Sequence, residues 1–149
     1  VFFLDSSNLV QKKDIRDFTV PGKTIIFGLP GAFTSVCSMK HLPGFLRSYE
    51  EALKKGVQDI LCLSVNDPYV MQAWGDKSKV GDKIKMLGDP YCEFTKLMGL
   101  ETDKSAKGLG IRSSRYTMLV DEGKIKKINV EKETGSCEIS AAENFLKEI

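Results

Sequence analysis

The chain has 149 residues, of which 42% are hydrophobic and 28% are charged, so its composition predicts one folded domain over residues 1–149 with a normal core. The net charge of +2 is small, and lysines and acids are interspersed along the chain, which argues against a nucleic-acid partner or an anionic membrane surface. No apolar run reaches the length that a bilayer crossing requires, so no membrane association is expected.

The first half of the chain alternates between apolar runs typical of strands and amphipathic runs typical of helices, which favours an α/β or mixed α+β fold. Pro43 lies inside the pattern of the first long helix and is expected to break it after one short turn. The predicted elements are a strand at Val1–Leu4, an ambiguous polar segment at 8–17, a buried strand at Thr24–Phe27, a helical turn at Cys37–His41, a main helix ending at Lys55 and a buried strand at Ile60–Val65.

The second half of the chain predicts a helix, a strand, a hairpin and a terminal helix. Asn66 or Asp67 is expected to cap the helix that Pro68 begins, and Ser140 with Glu143 has the spacing of a capping box. The predicted elements are a helix from Pro68 to the segment Gly75–Lys79, a strand at Ile84–Leu87, a short helix at Glu93–Met98, a loop over Glu101–Ser114, hairpin strands at Tyr116–Val120 and Lys124–Val130, and a final helix after Ser140.

The four cysteines indicate reduced thiols rather than a disulfide scaffold. Cys37, Cys62, Cys92 and Cys137 are widely spaced, and no CxxC pair occurs, which also argues against a thiol-disulfide oxidoreductase. His41 lies four residues after Cys37, but two ligands do not make a zinc site, so no metal is expected. We therefore expect one or two of the thiols to be catalytic.

The strand-to-helix junction Gly28–Cys37 carries the strongest functional signal. Amide N–H groups in the first turn of a helix lack intrahelical partners and, with the helix dipole, favour negative charge at that place. Cys37 stands there, and the thiolate form that such surroundings stabilise is the nucleophile. Thr34 can place its hydroxyl beside the sulfur, and Pro30 can shield the sulfur from water. The pattern suits a thiolate that attacks a peroxide and becomes a sulfenic acid.

These residues resemble the active site of a known family. The pattern Pro30-x-x-x-Thr34-x-x-Cys37 resembles the motif of the peroxiredoxins, and the string from Phe27 to Phe45 resembles their type II branch, also called the peroxiredoxin-5 subfamily. The resemblance extends from about Lys23 to Ile149. Further matching segments are Leu63–Pro68, Gly108–Tyr116 and Ile128–Glu131.

The resemblance implies a thioredoxin-like fold, with a central mixed β-sheet flanked by helices, in a protein that commonly forms homodimers. It identifies Cys37 as the peroxidatic cysteine, Thr34 as the residue that hydrogen-bonds the peroxide, and Pro30 as a wall of the pocket. Arg115 matches the active-site arginine of the family, whose charge would stabilise both the thiolate and the peroxide oxygens. No metal or organic cofactor is implied.

Two cysteines match the places where members of the family carry a resolving cysteine. In plant type II members it lies 25 positions after the peroxidatic cysteine, as Cys62 does here. In animal members it lies near the C-terminus after a threonine-glycine segment, as Cys137 does. Direct attack of glutathione or glutaredoxin on the sulfenic acid is a third route, and all three stay open at this point.

The function that the resemblance implies is a thiol-dependent peroxidase for hydrogen peroxide and alkyl hydroperoxides, active in antioxidant defence and redox homeostasis. Thioredoxin, glutaredoxin or glutathione would be its reductant. The alternative is a thioredoxin-fold redox-signalling or binding module without efficient turnover, which would carry the same sulfenic acid on Cys37. The chain starts at Val1 rather than at methionine, so any targeting segment would already be gone, and the cytoplasm or an organelle such as the mitochondrion is expected.

Overall fold

The apolar runs of the sequence form strands, and the amphipathic runs form helices, in a computed structural model that describes residues 1–149. The strands are β1 (Phe2–Leu4), β2 (Val10–Lys12), β3 (Lys23–Leu29), β4 (Val57–Ser64), β5 (Lys85–Gly88), β6 (Glu101–Asp103), β7 (Ile111–Ser113), β8 (Tyr116–Asp121) and β9 (Lys124–Val130). The helices are α1 (Leu42–Arg47), α2 (Tyr49–Lys54), α3 (Pro68–Lys77), α4 (Glu93–Leu97) and α5 (Ala142–Leu146). A π-helical turn, Cys37–His41, precedes α1, and 3-10 turns occupy Ile15–Phe18 and Ser105–Lys107.

Seven strands form one mixed sheet in the order β2-β1-β5-β4-β3-β8-β9, while β6 and β7 form a separate antiparallel pair. Strand β3 lies between β4, to which it is parallel, and β8, to which it is antiparallel. Nearly every residue of β3 is buried, as expected for a strand that is covered on both faces. The predicted central mixed sheet with flanking helices is confirmed.

Each face of the sheet has its own hydrophobic core. Because side chains of a strand alternate between faces, Ile25 and Phe27 lie in the larger core and Ile26 lies in the smaller one. The larger core is covered by residues of α1, α2, α3 and α5, and it includes both Cys37 and Cys62. The smaller core is covered from the other side by Phe18, Phe94 and neighbouring residues. Both cysteines therefore lie on the same side of the sheet.

The helices near the proposed thiol differ from the prediction in one respect. Pro43 does not break the helix; it occupies the first turn of α1, directly after the π-helical turn. A π-helical turn is wider than an α-helical one, which relieves the clash between a proline ring and the preceding turn. The interruption lies instead at Ser48, between α1 and α2. None of the helices combines the length and the apolar character that a membrane crossing needs.

One other prediction is incomplete and one is wrong. The segment predicted as mostly loop, Glu101–Ser114, also contains β6, a 3-10 turn and β7, because Glu101–Asp103 pairs with Ile111–Ser113 across the turn. The predicted capping box of Ser140 and Glu143 does not form, and Ala141 is the N-cap of α5. The Ser140 hydroxyl donates instead to the buried Glu131 carboxylate at 2.6 Å. The Ser140 amide donates to the same carboxylate oxygen at 2.8 Å, so these two charge-assisted bonds hold Ser140 one residue before the N-cap position.

Substitution of Gly28 tests the packing between β3 and β8. Gly28 pairs with Tyr116, and a Cβ atom at position 28 would overlap the Tyr116 ring. We expect Gly28→Ala to lower the free energy of unfolding by about 1–3 kcal/mol in urea titrations, because the Tyr116 ring cannot make room for the added methyl group while β3 and β8 are held by their other strand partners. Gly135→Ala is the matched control, since a Cβ there meets nothing within 4 Å. Equal stability of the two variants would contradict this packing.

Candidate active site

The turn between β3 and the π-helical turn is held against the end of β4. The Ala32 amide donates to the side-chain oxygen of Asn66 at 3.0 Å, and the Ser64 hydroxyl donates to the same oxygen at 2.7 Å. Phe33 adopts a positive φ of 65°, which is uncommon for a residue other than glycine. The turn thus has a defined shape, and it delivers Cys37 to the start of the following helical segment.

Arg115 contacts Cys37 directly. Its Nη2 donates to the Cys37 Sγ at 3.1 Å, and both side chains are buried, at 1% and 0% exposure. The contact follows from strand register: Arg115 directly precedes β8, and the first residue of β8, Tyr116, pairs with Gly28 near the end of β3. Two residues that are 78 positions apart are therefore brought together by one antiparallel strand pair.

The Arg115 guanidinium has no carboxylate partner. Its Nε and Nη2 both donate to the carbonyl oxygen of Thr134 at 3.0 Å, and its Nη1 lies 3.1 Å from the Nδ1 of His41. A buried cation without an anion is costly. Among the groups that accept from Arg115, only the Cys37 sulfur can carry a negative charge, so the fixed donors of Arg115 point at the one atom where an anion can form.

His41 is buried and neutral, and its hydrogen bonds identify its tautomer. Burial and the charge of Arg115 hold the pKa of His41 well below its usual value. Since Arg115 can only donate, Nδ1 of His41 accepts, and the ring proton resides on Nε2, which lies 3.2 Å from the Thr117 hydroxyl. Thr117 in turn donates to the Ser140 carbonyl at 2.6 Å. His41 thus holds Nη1 of the guanidinium, while the neighbouring Nη2 contacts the sulfur.

Pro30 and Thr34 border a cleft above the Arg115 guanidinium. The cleft has a volume of about 250 Å³, and its walls are Pro30, Thr34, Ser35, Val36, Lys104, Lys107, Leu109, Arg115, Thr134 and Gly135. The Thr34 hydroxyl donates to the Gly31 carbonyl at 2.7 Å rather than to the Cys37 sulfur. The expected contact between Thr34 and the sulfur is therefore not made, because the tight turn takes the hydroxyl proton; the oxygen of this hydroxyl still has acceptor capacity.

The two candidate resolving cysteines differ in their surroundings, and all four cysteines are free thiols. Cys62 is fully buried in β4, where burial and the nearby Cys37 raise its pKa. Cys137 is half-buried in the segment before α5, where burial raises its pKa and the charge of Arg115 opposes that rise. Arg115 thus acts electrostatically on both thiols. Cys92 lies before α4 and contacts none of these groups through a hydrogen bond.

Two residues that were not among the predicted site residues, Glu131 and Thr134, support Arg115 and the Cys137 segment. The Glu131 carboxylate accepts from the amides of Glu138 and Ser140 and from the Ser140 hydroxyl, at 2.6–2.8 Å. Thr134 supplies the carbonyl that holds Arg115. Glu131 directly follows β9, which places it beside Arg115: the Glu131 amide donates to the Arg115 carbonyl at 2.9 Å. Only the register between β8 and β9 shows that Glu131 lies beside Arg115, and the sequence alone does not reveal that register.

This protein combines a mixed sheet flanked by helices with a buried thiol beside an arginine that has no carboxylate partner. These features define it as a thioredoxin-like thiol redox protein. The family model described as Redoxin matches residues 5–146. Peroxiredoxin-2B of Arabidopsis thaliana is 44% identical over 147 residues, which cover 99% of this chain and 90% of that protein. The chain therefore belongs to the peroxiredoxins of the Redoxin family, as the motifs predicted.

Solved structures agree with this family membership. Reduced Prx3 of Vibrio vulnificus in complex with H₂O₂ superposes with a TM-score of 0.92 at 37% identity, covering 99% of this chain and 90% of that chain. Peroxiredoxin 5 of Alvinella pompejana gives 0.83 at 33% identity, covering 98% and 89%. The predicted thioredoxin-like fold and the prediction of a thiol-dependent peroxidase, an oxidoreductase, are both confirmed. Other relatives are named as chloroplastic and mitochondrial proteins, so membership does not assign a compartment.

The neutral state of His41 makes the stability of the fold depend on pH. His41 is the single histidine of the chain, and its pKa is lower in the folded protein than the value of about 6.5 expected in an unfolded one. The folded state then binds fewer protons, so stability is complete above about pH 6.5 and decreases below it, by up to about 1.4 kcal/mol per pH unit.

Urea titrations between about pH 6.5 and 5 should show this slope in the wild-type protein, before carboxylates of ordinary pKa begin to titrate. The variant His41→Asn keeps an acceptor near the position of Nδ1 and should remove the slope. A wild-type stability that is constant over this range would show that His41 is not held neutral.

Proposed function

We propose that Cys37 is the peroxidatic cysteine through which this chain reduces hydrogen peroxide and alkyl hydroperoxides. The observation that carries the proposal is the hydrogen bond from Arg115 Nη2 to Cys37 Sγ, at 3.1 Å, between a buried thiol and a buried cation without a carboxylate partner. The solved relative from Vibrio vulnificus, described as a complex with H₂O₂, supports a peroxide as the substrate of the same fold.

In the proposed reaction the Cys37 thiolate attacks the terminal oxygen of the hydroperoxide. A sulfur–oxygen bond forms, the O–O bond breaks, and the remaining oxygen leaves as an alkoxide or hydroxide that takes up one proton. The sulfur loses two electrons and becomes a sulfenic acid, while the peroxide becomes an alcohol or water. Negative charge moves from sulfur to the departing oxygen, and the fixed Arg115 donors stabilise that charge without reorganisation.

Thr34 and Pro30 take the roles that their positions on the cleft allow. The Thr34 hydroxyl is fixed by its donation to Gly31, so its oxygen faces the substrate as an acceptor for the hydroperoxyl proton. Pro30 is buried, and its carbonyl accepts from Arg112 at 3.1 Å, which fixes one wall of the cleft. A peroxide held between Thr34 and Arg115 is oriented for attack in line with its O–O bond.

Resolution of the sulfenic acid proceeds by one of three routes, each with its own structural requirement. Attack by Cys62 keeps the reaction on one side of the sheet, but it requires opening of a buried strand. Attack by Cys137 requires release of a segment that Glu131 and Arg115 hold at 2.6–3.0 Å. In either case the thiol attacks sulfur, water leaves and a disulfide forms. Glutathione or a glutaredoxin would need access to Cys37 from the cleft.

A thiol reductant is required to complete the cycle, and we propose thioredoxin, glutaredoxin or glutathione. A homodimer is also proposed, supported by exposed apolar side chains around the site. Phe33 and Met39 lie on the turn and helical segment that carry Cys37, and Ile111 lies in β7 beside the cleft; they are 49%, 75% and 42% exposed. Clustered exposed apolar side chains of this size are typical of protein interfaces.

Peptide mapping tests both the role of Cys37 and the route of resolution. After one equivalent of hydrogen peroxide, the wild-type protein should gain either a sulfenic acid on Cys37 or a disulfide that names its partner. Cys37→Ser should remain unmodified and should lose sustained peroxide consumption, because no other thiol contacts Arg115. Cys92→Ser is the matched control and should behave as wild type.

Oxidation of Cys37→Ser at the wild-type rate would contradict the proposal. Formation of the sulfenic acid without sustained consumption, in the presence of thioredoxin, glutaredoxin and glutathione, would identify the redox-signalling module instead. A disulfide to Cys62 or to Cys137 decides between the two internal routes, and a persistent sulfenic acid that external thiols remove supports the third.

A further inference from the structure

The walls of the cleft carry more positive charge than one thiolate can balance. Lys104, Lys107 and Arg115 line it, and no acidic side chain does. The ion pairs of the protein lie elsewhere: Arg16–Asp14, Arg47–Glu143, Lys85–Asp59 and Lys127–Glu148. The Arg115 guanidinium is taken up by its contacts with Cys37, Thr134 and His41. Two lysines therefore line the cleft without an ion-pair partner.

Lys104 is fixed by the same residue that fixes Arg115. Its Nζ donates to the Thr134 hydroxyl at 2.6 Å, while the Thr134 carbonyl accepts from Arg115 Nε and Nη2 at 3.0 Å. An ammonium group has three N–H donors, and this contact uses one of them. Lys104 is half-buried, which reduces its screening by water. Thr134 thus holds the Lys104 ammonium group, which has two N–H donors left, near the Arg115 guanidinium that contacts the Cys37 sulfur.

Lys107 adds a second positive charge at the rim. It ends the 3-10 turn Ser105–Lys107 and is exposed, and no carboxylate lies within 4 Å of its ammonium group. The same cleft is also lined by the apolar residues Pro30, Val36 and Leu109, and by Arg115, which contacts the Cys37 sulfur. A cleft with one sign of charge concentrates ligands of the opposite sign and accelerates their association.

We propose that this cleft selects hydroperoxides that carry a carboxylate, with the hydroperoxyl group at Cys37 and the carboxylate at Lys104 and Lys107. The inference rests on the proposed role of Cys37 and adds the substrate class. The carbon chain between the two polar ends lies against Pro30, Val36 and Leu109. Cys37 takes the terminal oxygen, the O–O bond breaks, and the product is the hydroxy acid with its carboxylate unchanged. The lysines take no part in bond breaking; they bind.

The test compares a short hydroperoxy acid with its methyl ester, which differ by one negative charge. Trp74 is the one tryptophan of the chain and donates to the Ser38 hydroxyl at 3.0 Å, beside Cys37, so its fluorescence reports oxidation in a single turnover without any reductant. At low salt we expect the acid to oxidise wild-type Cys37 about three to ten times faster than the ester. Because exposed charges are screened over about 10 Å at 0.1 M salt, the ratio should fall as salt is added.

Lys107→Gln and Lys104→Gln should each lower the acid-to-ester ratio by about two- to fivefold. Lys124→Gln is the matched control for net charge: Lys124 pairs with Asp121 at the opposite end of β8 from Arg115, and the acid-to-ester ratio should keep its wild-type value. Lys107 is the primary position, because it is exposed and its ammonium group has no carboxylate partner within 4 Å that the substitution could disturb.

Equal rates for acid and ester in the wild-type protein, or a preference that survives both lysine variants, would overturn the inference while the role of Cys37 stands. Failure of hydrogen peroxide itself to oxidise Cys37 would overturn the proposed function, and this inference with it. A second arm measures reduction of the oxidised protein by 3-mercaptopropionate and its methyl ester. A carboxylate preference in that arm alone would assign the lysines to a thiol reductant and overturn the hydroperoxide assignment.

Discussion

The site depends on one buried cation, the Arg115 guanidinium. It is 1% exposed, it has no carboxylate partner, and its donors reach the Cys37 sulfur, the Thr134 carbonyl and His41. A fold can hold such a group when its donors are satisfied and an anion is within reach. Neutral acceptors satisfy three of the four contacts, and the fourth is the thiol. The chemistry of the site therefore follows from leaving that arginine without a fixed anion.

The rest of the fold keeps this cation in place. Strand β3 brings the turn with Pro30 and Thr34 to the end of the sheet, and β8 begins beside it, immediately after Arg115. His41, in the π-helical turn, contacts Nη1 of Arg115, whose Nη2 contacts the sulfur. The segment between β9 and α5 supplies Thr134, and Glu131 anchors that segment through Ser140. Segments that are distant in sequence thus converge because β3 ends, β8 begins and β9 ends at the same edge of the sheet.

Local chemistry predicted the elements that carry the thiol, while long-range pairing remained beyond the reach of the sequence. The unbroken apolar run of β3 and the Asp67 cap of α3 follow from residue type and spacing, and both are confirmed. Arg115 was singled out by family resemblance alone, since its approach to Cys37 depends on the register of β8. Ser140 was misinterpreted as a helix cap because the carboxylate that holds its amide and hydroxyl, Glu131, follows a strand that is distant in the fold's pairing pattern. The hydroxyl of Thr34 was predicted to lie beside the sulfur, and in the structure it donates its proton to the Gly31 carbonyl within the turn.

The central claim is that the donors of Arg115 make the Cys37 sulfur reactive toward a peroxide, and the rate of a single oxidation by hydrogen peroxide, followed through the fluorescence of Trp74, measures it most directly. Arg115→Gln should be oxidised at least about tenfold more slowly than wild type, because the charge that moves in the transition state loses its fixed donors, while circular dichroism shows an intact fold. Equal rates with and without Arg115 would contradict the account.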